Sequence, residues 1–349
     1  MKIVFVETED DEQPFFVDSL AEHEVGFVET LAEVPADAEI VSVFVNSRVD
    51  GAFLRAHPKV KMVASRSSST DHLDFAAAKQ RGVTLANVPD YGAATVAEHT
   101  FALILGVVRK LRHCLAAGRG KGSSERLRGI ELHGKTLGVV GTGRVGQQVI
   151  RIAHGFGMKT VGYDMDPDQE MAQQLQFEYV TLDRLLKVSD IITLHVPLNA
   201  RTRHMLNARR IAKCKPGFIV INTARGALVD IEALIAGLES GQVGGVGLDV
   251  LEDEKAFSAD SAKLVGAQIV QRIQAVATPG GDPERREERL RELQGLMRNR
   301  RLLAHPNVFF TPPVGFNSVE AIERINIGTV DNIRLFIAGH TGGGRKTRS

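Results

Sequence analysis

The segment GKTLGVVGTGRVGQQVIRIAHGFGMKTVGYD, residues 134–164, constrains the fold more than any other part of the chain. An apolar run predicts a strand at Thr136–Gly141, and apolar residues at helical spacing predict a helix at Arg144–Phe156. A second apolar run predicts a strand at Thr160–Asp164. A strand, a glycine-rich turn, a helix and a second strand form a βαβ unit, which builds a parallel sheet.

The glycines of this turn, Gly141, Gly143 and Gly146, indicate a dinucleotide ligand. The first permits a tight turn, the second lets a diphosphate approach the backbone, and the third lets the helix pack closely on the strand. Arg144 and Val145 open the helix, whose unpaired N–H groups and positive dipole end favour an anion.

The acid that follows this unit favours NAD over NADP. Asp164 ends the second strand, 18 residues after Gly146, where a carboxylate accepts hydrogen bonds from the adenosine ribose hydroxyls. A 2′-phosphate at the same place would meet a negative charge, and the next residue is Met165 rather than an arginine. NAD is therefore the predicted cofactor.

Strands alternate with helices along most of the chain, which predicts two doubly wound α/β domains. In the first series the predicted strands are Lys2–Val6, Glu39–Val45, Lys61–Ala64 and Val83–Val88. In the second series they are Thr136–Gly141, Thr160–Asp164, Asp190–Pro197, Phe218–Thr223 and Gly244–Val250. After Asp253 the regular alternation of predicted strands and helices stops.

Outside the alternating series the sequence predicts longer helices. Thr95–Ala117 is predicted as one long helix, apolar in its first half and basic afterwards. The segment 254–304 contains a predicted amphipathic helix whose apolar stripe is Leu290, Leu293 and Met297. Asn307–Pro312 predicts a strand, Val319–Ile337 a long helix, and 340–349 a flexible tail.

Composition and charge exclude several classes of protein. Lys plus Arg is 43 and Asp plus Glu is 42, so a net charge of +1 argues against a nucleic-acid binder. The longest apolar run is too short to cross a membrane. The two cysteines, Cys114 and Cys214, lie in apolar contexts that favour a reducing, cytoplasmic location.

Four further segments carry a family resemblance: NVPDYGAATVAEHT (87–100), HVPLNARTRHMLN (195–207), INTARGALVD (221–230) and GLDVLEDE (247–254). With the glycine turn they resemble the NAD-dependent D-isomer-specific 2-hydroxyacid dehydrogenases, most closely the D-lactate dehydrogenase branch. The resemblance implies a Rossmann NAD domain, 101–304, inserted into a discontinuous flavodoxin-like substrate domain, 1–100 with 305–339. It also implies a homodimer formed through the long helix.

The resemblance assigns roles to individual residues. Arg225 corresponds to the arginine that grips the carboxylate and carbonyl oxygen of a 2-oxo acid, which a planar guanidinium does with two hydrogen bonds. Glu254 corresponds to the glutamate beside the family's catalytic histidine, and Ser69, Thr70 and Tyr91 lie in its substrate region. The implied cofactor contacts are Val196, Pro197, Thr202, Thr223, Ala224, Arg225 and Asp249, the last beside the nicotinamide carboxamide.

The chain departs from the family at the proton donor. The family carries Thr-Pro-His near its C-terminal end, whereas this chain has Pro313 after Thr311 and Pro312, and proline has no titratable group. A positioned general acid contributes about 10²- to 10⁴-fold to the rate. Tyr91, Glu254 acting through water, and His305 are alternative donors. A different substrate or reaction with less need for a general acid is a further alternative, and all of these stay open.

Two functional hypotheses follow. The first is an NAD-dependent oxidoreductase that interconverts a small 2-hydroxy acid and a 2-oxo acid with an unassigned proton donor. The second is a catalytically impaired NAD(H)-binding relative with a regulatory or structural role. Ser69, where the family usually has glycine, weakens any transfer of substrate specificity. Asp71, His72 and Asp74 belong to the same loop and are not predicted to bind a metal.

Overall fold

The computed structural model describes residues 1–118, 127–252 and 283–339. The chain divides into two compact units, of which unit 1 is Met1–Gly92 with the described residues from Asn317 onward, and unit 2 is Ala93–Phe316. Each unit contains one parallel sheet flanked by helices. The predicted α/β fold with two parallel-sheet domains is confirmed.

Unit 1 has a five-stranded sheet. Its strands are β1 (Lys2–Val6), β2 (Glu24–Val28), β3 (Ile40–Val43), β4 (Met62–Ser65) and β5 (Thr84–Asn87). They pair in parallel in the order β2-β1-β3-β4-β5, the flavodoxin-like order. Every residue of β3 and β4 is buried, as expected of a sheet covered on both faces.

The helices of unit 1 cover both faces of its sheet. They are α1 (Gln13–Ser19), α2 (Gly51–Ala56), α3 (Phe75–Arg81) and, near the C-terminus of the chain, α12 (Val319–Ile337). Asp50 and Asp74 begin α2 and α3, because each carboxylate accepts hydrogen bonds from backbone N–H groups of the first helical turn. Ser318 caps α12 in the same way.

Unit 2 has a seven-stranded sheet. Its strands are β6 (Thr136–Val140), β7 (Lys159–Tyr163), β8 (Glu178–Tyr179), β9 (Ile191–Leu194), β10 (Phe218–Asn222), β11 (Val243–Leu248) and β12 (Val308–Phe310). All neighbours are parallel, in the order β12-β11-β10-β9-β6-β7-β8. The strand order reverses at β6, which is the topological switch point of a Rossmann sheet.

The helices of unit 2 pack on two apolar layers, one on each face of the sheet. They are α4 (Ala93–Val108), α5 (Leu111–Gly118), α6 (Arg144–Gly155), α7 (Gln169–Gln174), α8 (Leu182–Val188), α9 (Ala208–Ile211), α10 (Ile231–Glu239) and α11 (Pro283–Ala304). Leu103 and Ile150 bring α4 and α6 into one layer, and Leu185 and Leu234 bring α8 and α10 into the other. Of the helices in the described ranges, none has the length and apolar character needed to traverse a bilayer.

The structure corrects the predicted long helix at Thr95–Ala117. Two helices occupy this region, α4 and α5, because Lys110 adopts a left-handed conformation with φ of 53°. The apolar first half and the basic second half of the segment therefore belong to different helices.

The unit boundaries also differ from the predicted ones at 100/101 and 304/305. They fall at 92/93 and 316/317 because α4 packs on α6 and β11, and because β12 pairs with β11. In α11 the predicted stripe is wrong at two positions, since Leu290 and Met297 are exposed. Leu296, Asn299 and Leu302 are buried instead, and the Asn299 side chain donates to the Glu252 carbonyl.

Candidate active site

The glycine turn lies at the carboxyl end of β6. Gly141 has φ of 93°, a left-handed conformation that favours glycine, and a Cβ there would lie 2.7 Å from the His195 carbonyl group. Gly143 is the N-cap of α6 and provides no side-chain cap. The first N–H groups of α6 are therefore available to an anion.

The other two glycines of the turn serve different purposes. A Cβ on Gly146 would lie 2.1 Å from the Gly141 carbonyl oxygen, so only glycine lets α6 pack against the turn. Among the residues that the structure describes, none has an atom within 4 Å of a Cβ built on Gly143, so this glycine faces open space there. Open space over a glycine backbone at a helix N-terminus fits the diphosphate of a dinucleotide.

Asp164 follows β7 and stabilises the turn. Its Oδ2 accepts hydrogen bonds from the Thr142 backbone N at 2.8 Å and the Thr142 hydroxyl at 3.2 Å. Its Oδ1 accepts from the Asp166 backbone N at 3.2 Å. A carboxylate has about four acceptor positions, so Asp164 can still accept hydrogen bonds from ribose hydroxyls.

The residues after β9 form a compact loop beside the turn. The Thr202 hydroxyl donates to the Pro197 carbonyl at 2.7 Å and accepts from the Asn199 backbone N at 2.8 Å. The Thr202 hydroxyl therefore stabilises the loop itself. Val196 lies against the position that a Gly141 Cβ would occupy. Burial lowers the pKa of His195 to about 3, so its imidazole is neutral at physiological pH.

Arg225 follows β10, and its backbone is fixed by a residue that sequence reasoning missed. The buried side chain of Asn222 donates to the Arg225 carbonyl at 2.8 Å and accepts from the Ala224 backbone N at 3.1 Å. The Arg225 guanidinium donates to the Ala224 carbonyl at 2.7 Å. The Thr223 hydroxyl lies 3.1 Å from that of Thr100 on α4.

Asp249 follows β11 and is 4% exposed. Its Oδ1 accepts hydrogen bonds from the Thr311 hydroxyl at 2.8 Å and the Val314 backbone N at 3.1 Å, and its Oδ2 accepts from the Gly315 backbone N at 2.9 Å. His99 Nε2 lies 3.0 Å from Oδ1. This carboxylate therefore anchors the loop that contains Pro313.

The remaining predicted site residues lie elsewhere. Glu254 lies outside the described residues. Ser69, Thr70 and Tyr91 belong to unit 1, where the Ser69 backbone N donates to the Ser67 hydroxyl at 3.0 Å and Arg324 donates to the Tyr91 carbonyl at 2.8 Å. Tyr91 is 7% exposed.

The structure does not favour His305 as an alternative proton donor. It precedes β12 and so lies at the amino edge of the sheet, opposite Arg225. Its Nδ1 accepts a hydrogen bond from the Asn307 backbone N at 3.2 Å. Within the described ranges no three His, Cys, Asp or Glu side chains group as metal ligands do.

The sheet order, the glycine turn and the acid after β7 together define a Rossmann domain that binds NAD. The comparisons with known proteins extend this assignment. Residues 101–315 match the family described as "D-isomer specific 2-hydroxyacid dehydrogenase, NAD binding domain". The chain belongs to this family of NAD-dependent enzymes, as its sequence motifs indicated.

Three similar proteins illustrate the relationship. Hydroxypyruvate reductase of Thermotoga maritima is 35% identical over 305 residues, which cover 87% of this chain and 86% of that protein. The structure of the pyruvate reductase of Chlamydomonas reinhardtii has a TM-score of 0.81 and 33% identity, and the match covers 97% of each chain. D-lactate dehydrogenase from Aquifex aeolicus, complexed with NAD and lactic acid, has a TM-score of 0.77 and 31% identity, with 97% of this chain and 96% of that chain covered. The predicted cofactor and reaction class, an NAD-dependent 2-hydroxyacid dehydrogenase, are confirmed.

Proposed function

We propose that this protein reduces a small 2-oxo acid to the 2-hydroxy acid, and that Arg225 binds the substrate carboxylate. One observation carries the proposal: Asn222 holds the backbone of Arg225 at the carboxyl edge of the sheet, the same edge as the glycine turn. A guanidinium donates two parallel hydrogen bonds, which match a carboxylate and a neighbouring carbonyl oxygen.

The cofactor-binding roles fit the geometry of unit 2. The open backbone at Gly143 and the uncapped N-terminus of α6 would hold the diphosphate, and Asp164 would accept hydrogen bonds from the adenosine ribose. When bound, NADH supplies a hydride from nicotinamide C4. Val196, Pro197, Thr202, Thr223 and Ala224 would border the cofactor, and Asp249 would hold the loop beside it.

The test follows NADH absorbance with a panel of 2-oxo acids. Arg225→Gln is expected to lower kcat/KM by about 10³-fold or more, and Arg225→Lys by about 10²-fold because lysine keeps the charge without the planar fork. Arg209→Gln, an exposed arginine on α9, is the matched control and should match the unaltered protein. Equal activity of Arg225→Gln and the unaltered protein would overturn the assignment of Arg225.

A second candidate function is favoured by Pro313. A chain that binds NADH without a proton donor would act as a regulatory or structural relative. It predicts tight NADH binding, measured by NADH fluorescence, with no turnover of any 2-oxo acid. Turnover that appears only in Pro313→His would support this candidate over the enzyme.

The proposal extends to a homodimer in a reducing, cytoplasmic setting. Leu111 and Leu115 are exposed apolar residues one helical turn apart on α5, which supports a partner surface there. Cys114 and Cys214 are both free thiols. Size-exclusion chromatography with light scattering should give a mass of twice 37.9 kDa, and a monomer mass would remove the dimer from the proposal.

A further inference from the structure

The Thr142 side chain, inside the glycine turn, is buried, with 4% of its surface exposed. A Cβ on Gly162 of β7 would lie 3.0 Å from the Thr142 methyl carbon and 2.5 Å from the Phe177 ring. Both groups therefore pack over the space that this glycine leaves. Because the methyl carbon is held there, the hydroxyl on the same side chain also has a fixed position.

The Thr142 hydroxyl joins two other side chains, Asp164 and Tyr179. It lies 3.2 Å from Asp164 Oδ2 and 2.6 Å from the Tyr179 hydroxyl. An ionised carboxylate can only accept, so the Thr142 O–H donates to Asp164, and the Thr142 oxygen accepts the Tyr179 O–H. The Tyr179 oxygen in turn accepts from the Asp168 backbone N at 3.3 Å. These three donors form one chain of hydrogen bonds that ends on Asp164.

The two oxygens of the Asp164 carboxylate have different surroundings. Oδ2 also accepts from the Thr142 backbone N at 2.8 Å, so Thr142 provides this oxygen with two donors. Among the described residues, Oδ1 accepts only from the Asp166 backbone N, at 3.2 Å. Since each carboxylate oxygen accepts about two hydrogen bonds, Oδ1 is the atom with room for a ribose hydroxyl.

Strand β8 brings Tyr179 to the glycine turn. This strand has only two residues, and Tyr179 is the register partner of Gly162 in β7. The Tyr179 ring lies edge-on to the Phe177 ring, with the two centroids 4.9 Å apart. The backbone pairing and the ring contact fix the phenol, so its hydroxyl provides a rigid support for Thr142.

The chain of hydroxyl groups restrains a carboxylate that is partly exposed. Without this chain, the Thr142 backbone N would still donate to Oδ2, but the Asp164 side chain would be freer to rotate about χ1. Rotation would move Oδ1 away from the ribose. It would also move the negative charge away from the place of a 2′-phosphate, and repulsion falls with distance.

We propose that Tyr179 is a positioning residue for the dinucleotide. Through the Thr142 hydroxyl, it holds the Asp164 carboxylate in the orientation that accepts the adenosine ribose hydroxyls and repels a 2′-phosphate. The inference rests on the role proposed above for Asp164, and it adds the contacts that maintain the preference for NAD.

The test compares two Tyr→Phe variants by fluorescence titration with NADH and NADPH. Tyr179→Phe removes the hydroxyl that donates to Thr142 and keeps the ring contact with Phe177. It is expected to weaken NADH binding by about three- to tenfold, the effect of one hydrogen bond, while NADPH binding stays the same or tightens. Tyr163→Phe is the matched control, because Tyr163 ends β7 and packs in the other apolar layer. Its affinities should equal those of the unaltered protein, and a loss as large as that of Tyr179→Phe would overturn the inference.

A double-mutant cycle separates positioning from general support of the fold. In the Asp164→Ala background, Tyr179→Phe should no longer change the ratio of NADH to NADPH affinity, because no carboxylate is left to position. The same narrowing of the ratio in both backgrounds would overturn the inference. A Tyr179→Phe variant with a lowered Tm and an unchanged ratio would also overturn it, since a purely structural role predicts that result.

The outcomes distinguish this inference from the proposed function, because binding is measured without turnover. If no 2-oxo acid is reduced but the affinities shift as described, the proposed function fails and the inference stands. If Asp164→Ala leaves the affinity ratio unchanged, the proposed role of Asp164 fails and the inference fails with it. If Asp164→Ala narrows the ratio and Tyr179→Phe does not, Asp164 keeps its role and Tyr179 does not position it.

Two Thr142 variants cover the case in which Asp164→Ala does not fold. Thr142→Val removes the hydroxyl and keeps the branched shape, whereas Thr142→Ser keeps the hydroxyl. The ratio of NADH to NADPH affinity is expected to be about threefold smaller, or less, in the valine variant than in the serine variant. Equal ratios in the two variants would overturn the connection through the Thr142 hydroxyl.

Discussion

The two sheets of this protein are both doubly wound, but their carboxyl edges differ. In unit 2 the edge at β6 is open, with an uncapped helix N-terminus and a glycine that faces free space. In unit 1 the edge at β1 is closed by Arg66, which is 2% exposed. The topology permits a ligand at both edges, and the side chains decide which edge is available.

At the closed edge of unit 1, a buried cation donates hydrogen bonds to backbone carbonyl groups. The Arg66 guanidinium donates to the carbonyl oxygens of Val6, at 2.9 Å, and Glu7. The Arg66 Cζ atom lies 6.0 Å from the ring centroids of Phe5 and Phe16. Burial lowers the pKa of Arg66 to about 10, so it stays charged at physiological pH. Arg66 therefore links the ends of β1 and β4.

The largest expected effect lies at the open edge. Gly146→Ala is expected to destabilise the protein by about 4 kcal/mol or more, because its Cβ would lie 2.1 Å from the Gly141 carbonyl oxygen. Gly143→Ala should leave Tm within a degree or two and weaken NADH binding, since its Cβ enters open space. Thermal unfolding and NADH titration check the pair. Equal stability of the two variants would show that Gly146 is not needed for packing in a way that Gly143 is not.

At the closed edge, Arg66→Met is expected to cost about 3 kcal/mol of unfolding free energy, because two carbonyl groups lose a charged donor. NADH affinity should not change, since Arg66 belongs to unit 1. Urea unfolding and NADH fluorescence measure the two quantities. A variant of native stability with weakened NADH binding would contradict the comparison of the two edges.

The pH dependence of the unfolding free energy tests whether His195, which follows β9 in unit 2, is desolvated in the folded protein. The folded protein keeps this imidazole neutral down to a pKa of about 3, whereas the unfolded chain protonates it near its ordinary value. The unfolded state therefore binds more protons as pH falls from about 6 to about 4, and His195 removes up to ~1.4 kcal/mol of stability per pH unit there. His195→Gln should flatten this acid slope in urea unfolding measured at several pH values. An unchanged slope would mean that the imidazole is not desolvated.

The smallest expected effect concerns cofactor choice. Asp164→Asn is expected to narrow the ratio of NAD to NADP affinity by about tenfold, because it removes the charge that repels a 2′-phosphate. The asparagine side-chain oxygen can still accept from the Thr142 backbone N, so the turn should persist. Titration with both reduced cofactors gives the ratio. A ratio that does not move would show that Asp164 supports the turn only.

Regular periodicity made much of the fold predictable. Lys2–Val6 and Val319–Ile337 were predicted with the bounds that the structure has. β2 was missed because its residues are only partly buried, and β8 because it has two residues. The boundary of unit 2 was missed because β12 lies far along the chain from its partner β11, and pairing of distant strands leaves no local signal.

The site was predictable where a role depends on one residue type at a fixed position. Gly141, Gly146 and Asp164 belong to this kind, because the turn and the acid have fixed spacing. Asn222 and His99 were missed, since a buried asparagine in a strand or a histidine on an apolar helix reads as ordinary core. Their partners lie 3 and 150 residues away, so only the folded chain brings out what they do.

The two thiols differ in a way that gives the protein a built-in chemical handle. Cys214 is buried, and burial raises its pKa to about 12. Alkylating reagents attack the thiolate, so a maleimide at neutral pH should leave Cys214 unmodified and couple at Cys114 on α5. A single fluorophore can thus be attached without mutagenesis next to Leu111 and Leu115, where energy transfer between labelled copies would report self-association directly.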